Sequence, residues 1–191
     1  PEDFSFFEGV PHLEGGRVIY DADEAIELLS SQVTQTLDSR GEFLMEAHCV
    51  NIQDYNRKHP EEPMAPLVVV VDEFADLVDQ LGRQRNARDA FYKNIRRVAQ
   101  LGRSRGIHLV LCTQRPSADL VPTNIRNLMN ARVALRVNDV TASRMILEAP
   151  GAEQLQFHGD LLFKEPEGLL RAQGYTIEPE ELVQILAAFR A

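Results

Sequence analysis

Five apolar residues in a row, LVVVV (67–71), run straight into two acids, Asp72 and Glu73. A strand with one solvated face alternates apolar and polar residues. A run without alternation suits a strand buried on both faces of a parallel sheet. Around it, helix-like and strand-like patterns alternate, which makes the fold class α/β with a mostly parallel sheet. IHLVLCT (107–113), introduced by Gly106, reads as a second buried strand and ARVALRV (131–137) as a third. GRVIYD (16–21) reads as a short edge strand. Asp21 or Asp23 can cap a helix whose Ile26, Leu29, Val33 and Leu37 recur in steps of three and four. NRKHPEEPMAP (56–66) is polar and Pro-rich, hence a surface loop. Further helices are expected over 87–101, with Phe91, Ile95 and Val98 on one face, over 141–148 and over 178–189. GDLLF (159–163) and LLRAQGY (169–175) read as a hairpin across 164–168. No internal repeat is visible.

At 191 residues, 44% hydrophobic and 26% charged, the chain has the length and composition of about one globular domain. No apolar run approaches the roughly 18 residues of a membrane span, and the first residues lack the basic and apolar regions of a signal peptide. No membrane contact is expected from this segment itself. Two cysteines, Cys49 and Cys112, make no disulfide framework, and a reducing, cytoplasmic setting follows. The net charge of −9 argues against nucleic acid when taken alone. It is unevenly spread, with 14 acids against 4 bases in residues 1–65 and 12 bases against two acids, Asp89 and Asp119, in residues 83–136.

Ligands of parallel sheets collect outside the carboxyl ends of the strands, where Asp72 and Glu73 sit. One acid can hold Mg²⁺ through its water shell while the next polarises an attacking water, the Walker B arrangement of P-loop nucleotide triphosphatases. An apolar run ending in Asp-Glu equally fits a core strand that exits to an acidic turn. Gln114 ends the second strand, where a side-chain amide can hydrogen-bond a γ-phosphate or the attacking water. It could also be a turn residue before Arg115 and Pro116. The scattered His12, His48, His59, His108 and His158 show no metal-ligand spacing. His108 is expected to pack in a strand, and Cys49 and Cys112 to be small core residues.

FEGVPHL (7–13), Tyr55 with Asn56, VVVVDEFADL (68–77), RGIHLVLCTQRPS (105–117), Ala131 with Arg132, SRMIL (143–147), GAEQL (151–155) and GDLLF (159–163) together resemble the FtsK/SpoIIIE family of DNA-translocating motor ATPases. The motifs lie in the family's order, and the likeness runs from Glu8 to the end of the chain. It implies a RecA-like three-layer α/β sandwich with a carboxyl-terminal β-hairpin and helix, assembled as a homo-oligomer, a hexameric ring, around double-stranded DNA. ATP and Mg²⁺ are the implied cofactors. Asp72 then matches the Mg²⁺-linked acid, Glu73 the catalytic base and Gln114 the sensor. Arg132 matches an arginine reaching a neighbouring subunit's ATP, or else is a strand-edge charge. Arg144 matches a DNA- or subunit-contacting arginine, or else makes a helix-surface ion pair. Arg136, Arg144, Lys164 and Arg171 are the candidate DNA contacts. The family's commonest use is chromosome segregation at division, and some members are the cytoplasmic motors of membrane-anchored proteins. Conjugative DNA transfer, type VII secretion and a degenerate, non-hydrolysing interaction domain are the alternatives.

A phosphate loop needs G-x-x-x-x-G-K-[ST]. The three lysines, Lys58, Lys93 and Lys164, all lie in other contexts. Against the family, residues 1–191 match the carboxyl-terminal two-thirds of one motor domain, with an acidic helical lead-in (1–65) and a Walker B, sensor and ring-contact part (66–191). The central phosphate-loop strand is missing from this chain. The expectation is that 1–191 alone neither binds ATP tightly nor hydrolyses it, and that its strands are left with open edges and apolar faces.

Overall fold

A computed structural model describes residues 2–82 and 84–190. They form two compact units, one of residues 25–131 and one of residues 1–24 with 132–191.

The first unit is built on two parallel strands, β1 (Leu67–Val71) and β2 (Ile107–Leu111), paired in the register Leu67↔Ile107 to Val71↔Leu111. Ahead of β1 come the last residues of α1 (Ala22–Glu27, which begins in the other unit), a π-turn (Leu28–Gln32), α2 (Val33–Glu46) and α3 (Ile52–Lys58). Between the strands lie α4 (Phe74–Gln80) and the long α5 (Arg85–Arg105), and α6 (Thr123–Arg126) follows β2. The apolar face of α5 buries Phe91, Ile95, Val98 and Gly102, with Leu29, Val33 and Leu37 buried on the π-turn and α2. α5 stops at Gly106, whose φ of 68° is left-handed and open to glycine at little cost. The Arg40 guanidinium donates to the carbonyls of Arg105 (3.1 Å), Gly106 (3.2 Å) and Ala65 (3.0 Å). One side chain thus satisfies acceptors at the end of α5 and fixes the approaches to both strands. Asn56 clamps Met64 through both its amide nitrogen (3.0 Å) and its oxygen (2.8 Å), which holds the loop that delivers β1.

Three expectations change here. Residues 56–58 belong to α3, so the loop starts later than its composition suggests. Residues 16–21 form no strand. β1 is covered on one face only: Val69 is buried, but Val68 and Val70 are 57% and 54% exposed, and their partners His108 and Val110 are exposed too. His108 lies in β2 with its side chain exposed, Cys112 lies outside the core, and Cys49 is inside it.

The second unit holds an antiparallel sheet in the order β3-β4-β5, with β3 (Arg132–Ala134), β4 (Asp160–Glu165) and β5 (Gly168–Gln173). The third apolar run thus pairs with the hairpin, Arg132↔Lys164 to Ala134↔Leu162, and is shorter than its 131–137 pattern. The hairpin turns over Pro166 and Glu167. α7 (Val140–Leu147) is capped by Asp139, whose carboxylate accepts from the amides of Thr141 and Ala142. It packs Leu147 with Ala134, Ala152, Leu155 and Leu162. The fully buried Ser143 hydroxyl donates to the Ala149 carbonyl (2.8 Å) and accepts from the Ala152 amide (3.0 Å). Much of SRMIL and GAEQL is therefore packing. α8 (Pro179–Arg190) closes the chain, with Phe189 edge-on to His12.

Candidate active site

β1 and β2 end side by side, and the paired acids and Gln114 follow directly. Beyond the strands the ladder continues, because the Cys112 amide donates to the Val71 carbonyl and the Phe74 amide to the Cys112 carbonyl, both at 2.8 Å. Phe74 is fully buried and stacks on Phe91, ring centroids 5.9 Å apart. This anchor fixes the backbone immediately after the two acids.

Glu73 is the N-cap of α4. Its Oε1 accepts from the Thr113 hydroxyl (2.6 Å) and the Ala75 amide (3.1 Å), and its Oε2 from the Gln114 amide (2.8 Å). Burial pushes this carboxyl up, but those three donors and the charge of Arg115 outweigh it and hold it below the ordinary glutamate value. Glu73 is thus ionised at neutral pH, the form a general base needs. Arg115 bridges Asp76 (3.1 Å) and Asp79 (2.8 Å) on α4. Neither Thr113 nor Arg115 stood out in the sequence. The available signal was register: two residues past the pair Val71↔Leu111 stand Glu73 and Thr113.

Asp72 is exposed, and among the described residues no donor reaches its carboxylate. Nor does any group of three or more His, Cys, Asp or Glu among them suit a metal ion. A free carboxylate at a strand end fits Mg²⁺, which keeps most of its waters and takes one or two protein carboxylates with the nucleotide's phosphates. The Gln114 side chain is also exposed. Solvent depletion and the charges of Asp72 and Glu73 push the neighbouring Cys112 thiol up, away from nucleophilic character.

The basic candidates belong to the second unit. Arg132 is half-buried, donating to the Ile146 carbonyl (3.1 Å) and pairing with Glu148 (3.2 Å). Lys164, its partner across the ladder, pairs with the other oxygen of Glu148. Two cations directly opposite each other repel, and Glu148 relieves that. In return Lys164 and then Arg132 hold the Glu148 carboxyl below its usual range. Arg171 forks onto Asp160, Nε to Oδ1 at 2.9 Å and Nη2 to Oδ2 at 2.6 Å. Arg144 is exposed, with no side-chain partner among the described residues. Arg136 is exposed and lies over the Phe157 ring, 4.3 Å from its centroid.

A parallel strand pair with two acids and an amide at its carboxyl end is the arrangement of a RecA-like nucleotide triphosphatase. Solved structures agree on the fold. The conjugation coupling protein TcpA of pCW3, in its monomer form with ATPγS, superposes with a TM-score of 0.80 at 27% identity, over 97% of this chain and 55% of that one. The cytoplasmic domain of the Thermomonospora curvata type VII secretion ATPase EccC gives 0.70 at 25% identity, over 91% of this chain and 21% of that one. The sequence model of the FtsK/SpoIIIE family matches residues 2–118, and the chain belongs to that family. It is 40% identical over 159 residues to a DNA translocase FtsK of Chlorobaculum tepidum, covering 83% of this chain and 19% of that protein. It is 34% identical over 194 residues to one from Helicobacter pylori strain 26695, covering 99% of this chain and 22% of that protein. The chain therefore spans only a small part of the curated relatives it matches. Among the described residues no helix is long and apolar enough to cross a membrane.

Proposed function

We propose that these residues supply the Walker B, sensor and ring-contact part of an ATP-driven motor that moves along double-stranded DNA. The observation that carries the reading is the pairing at the sheet's edge: a free Asp72 carboxylate beside a Glu73 carboxylate fixed by three donors. Asp72 would hold the Mg²⁺ of the nucleotide, which would supply charge neutralisation at the phosphates. Glu73 accepts a proton from the attacking water, and the Gln114 amide senses the γ-phosphate. The Walker A loop comes from sequence outside these 191 residues, so the isolated chain is inactive.

Arg132 contacts the nucleotide of a neighbouring subunit in a homo-oligomeric, hexameric ring. To do so it has to leave Glu148, so its availability depends on that ion pair. DNA contact is to phosphates and hence independent of sequence. Arg136 and Arg144 are the stronger candidates, because Lys164 and Arg171 already sit in internal ion pairs. The motor works in the cytoplasm, in chromosome segregation. The TM-score to the coupling protein favours conjugative DNA transfer as a second reading.

Glu73→Gln in the complete protein tests the chemistry. It keeps the shape and loses the base. ATP binding should persist while turnover falls roughly 10²–10⁴-fold. Normal turnover in that variant removes Glu73 from the mechanism.

A further inference from the structure

The contacts around Glu73 form a closed circuit. Glu73 caps α4, α4 carries Asp76 and Asp79, and those acids hold the Arg115 guanidinium. The Arg115 amide donates to the Thr113 hydroxyl oxygen at 3.1 Å. Pro116 holds Arg115 in extended geometry, so that amide has little freedom to turn away. A threonine hydroxyl has one proton. With its oxygen accepting from Arg115, that proton is directed at Glu73 Oε1, 2.6 Å away. Oε1 then carries two hydrogen bonds and Oε2 one. Each carboxylate oxygen offers about two lone-pair sites, so Oε2 retains an open one for a water.

We propose that Thr113 is a positioning residue for Glu73: its hydroxyl fixes the carboxylate so that Oε2 is the oxygen left to meet the attacking water. The inference rests on Glu73 being the base of the proposed function. It assigns Thr113 no contact with nucleotide.

The experiment uses the complete protein with duplex DNA and saturating ATP. Thr113→Val keeps the branched shape and removes the hydroxyl, and Thr113→Ala removes both. Each should lower kcat ~10-fold with the KM for ATP unchanged, the loss expected for one hydrogen bond to a charged group. Thr113→Ser should stay within about twofold of wild type, since it keeps the donor. On a Glu73→Gln background, Thr113→Val should add no further loss, the sign of a residue acting through Glu73. A wild-type kcat in Thr113→Val and Thr113→Ala overturns the inference. So does a Thr113→Ser as slow as Thr113→Val, or a loss carried by KM. If wild-type protein turns over ATP, Glu73→Gln does not and Thr113→Val is unaffected, this inference falls alone. If the complete wild-type protein hydrolyses no ATP, the functional reading falls and this inference with it.

Discussion

Phe74 follows the two acids and determines where they point. It is fully buried, stacked on Phe91 and tilted against Tyr92, both on α5. Removing a buried phenyl loses its transfer energy and leaves a cavity, together about 3–5 kcal/mol. Phe74→Ala should shift the urea midpoint of the complete protein accordingly, and an unchanged midpoint would show that the ring is dispensable. The acids were legible in the sequence because a run of valines ending in Asp-Glu is conspicuous. The residues that orient them were not. Phe74 looks like any core aromatic and Thr113 like any hydroxyl at a strand's end. Their roles depend on a register between strands 40 residues apart in the chain, which composition and periodicity do not encode. Arg144 and Lys164 show the same gap: the sequence marks both as cations, and only the structure separates the one with no side-chain partner among the described residues from the one taken by Glu148.

At the scale of elements, periodicity located the longer helices, while the short α3, α4 and α6 carried no readable stripe. The 87–101 stripe became α5, and 141–148 and 178–189 became α7 and α8. Strand partners were harder. ARVALRV is as apolar as LVVVV, yet its three ordered strand residues join an antiparallel hairpin, because pairing is decided by what lies alongside rather than by the strand's own residues. That hairpin is fastened at its base by Asp160, the first residue of β4. Arg171, together with the Gln156 amide (2.7 Å), outweighs the effect of burial and lowers the Asp160 carboxyl from 3.8 to about 2. A carboxyl depressed in the folded state adds stability above its unfolded value, and that stability fades as pH falls through the folded one. The melting temperature should therefore decline between about pH 4 and pH 2. Asp160→Asn should melt lower at neutral pH and flatten that decline. Curves for variant and wild type running parallel through this window would exclude Asp160 as the titrating group.

Over the whole molecule, charge and burial bear on the same question. Along the sequence the acidity lies in residues 1–65, which leaves the motif-bearing part near neutral. Counted by compact unit, residues 25–131 hold 13 acids and 13 bases, while the unit with Arg136 and Arg144 holds 16 acids and 7 bases, a net −9. No bulk positive field is available to draw DNA to that unit, so the proposed phosphate contacts rest on local side chains. Burial points in a complementary direction. The outer face of the parallel pair presents Val68, Val70 and Val110 to solvent, a patch that soluble proteins normally cover. A sequence apolar on both faces is written for two covering layers, and the described residues provide one. With no phosphate loop and an open valine face, the 191-residue chain alone should bind an apolar dye, self-associate as concentration rises and show no Mg²⁺-dependent ATP turnover. Replacing Val68, Val70 and Val110 together with threonine should cut the dye binding and the association while leaving the circular-dichroism spectrum unchanged, since threonine keeps the β-branched shape. Association that persists in the triple variant would place its cause elsewhere, and ATP turnover by the isolated chain would mean that its residues bind and activate the nucleotide without a Walker A loop.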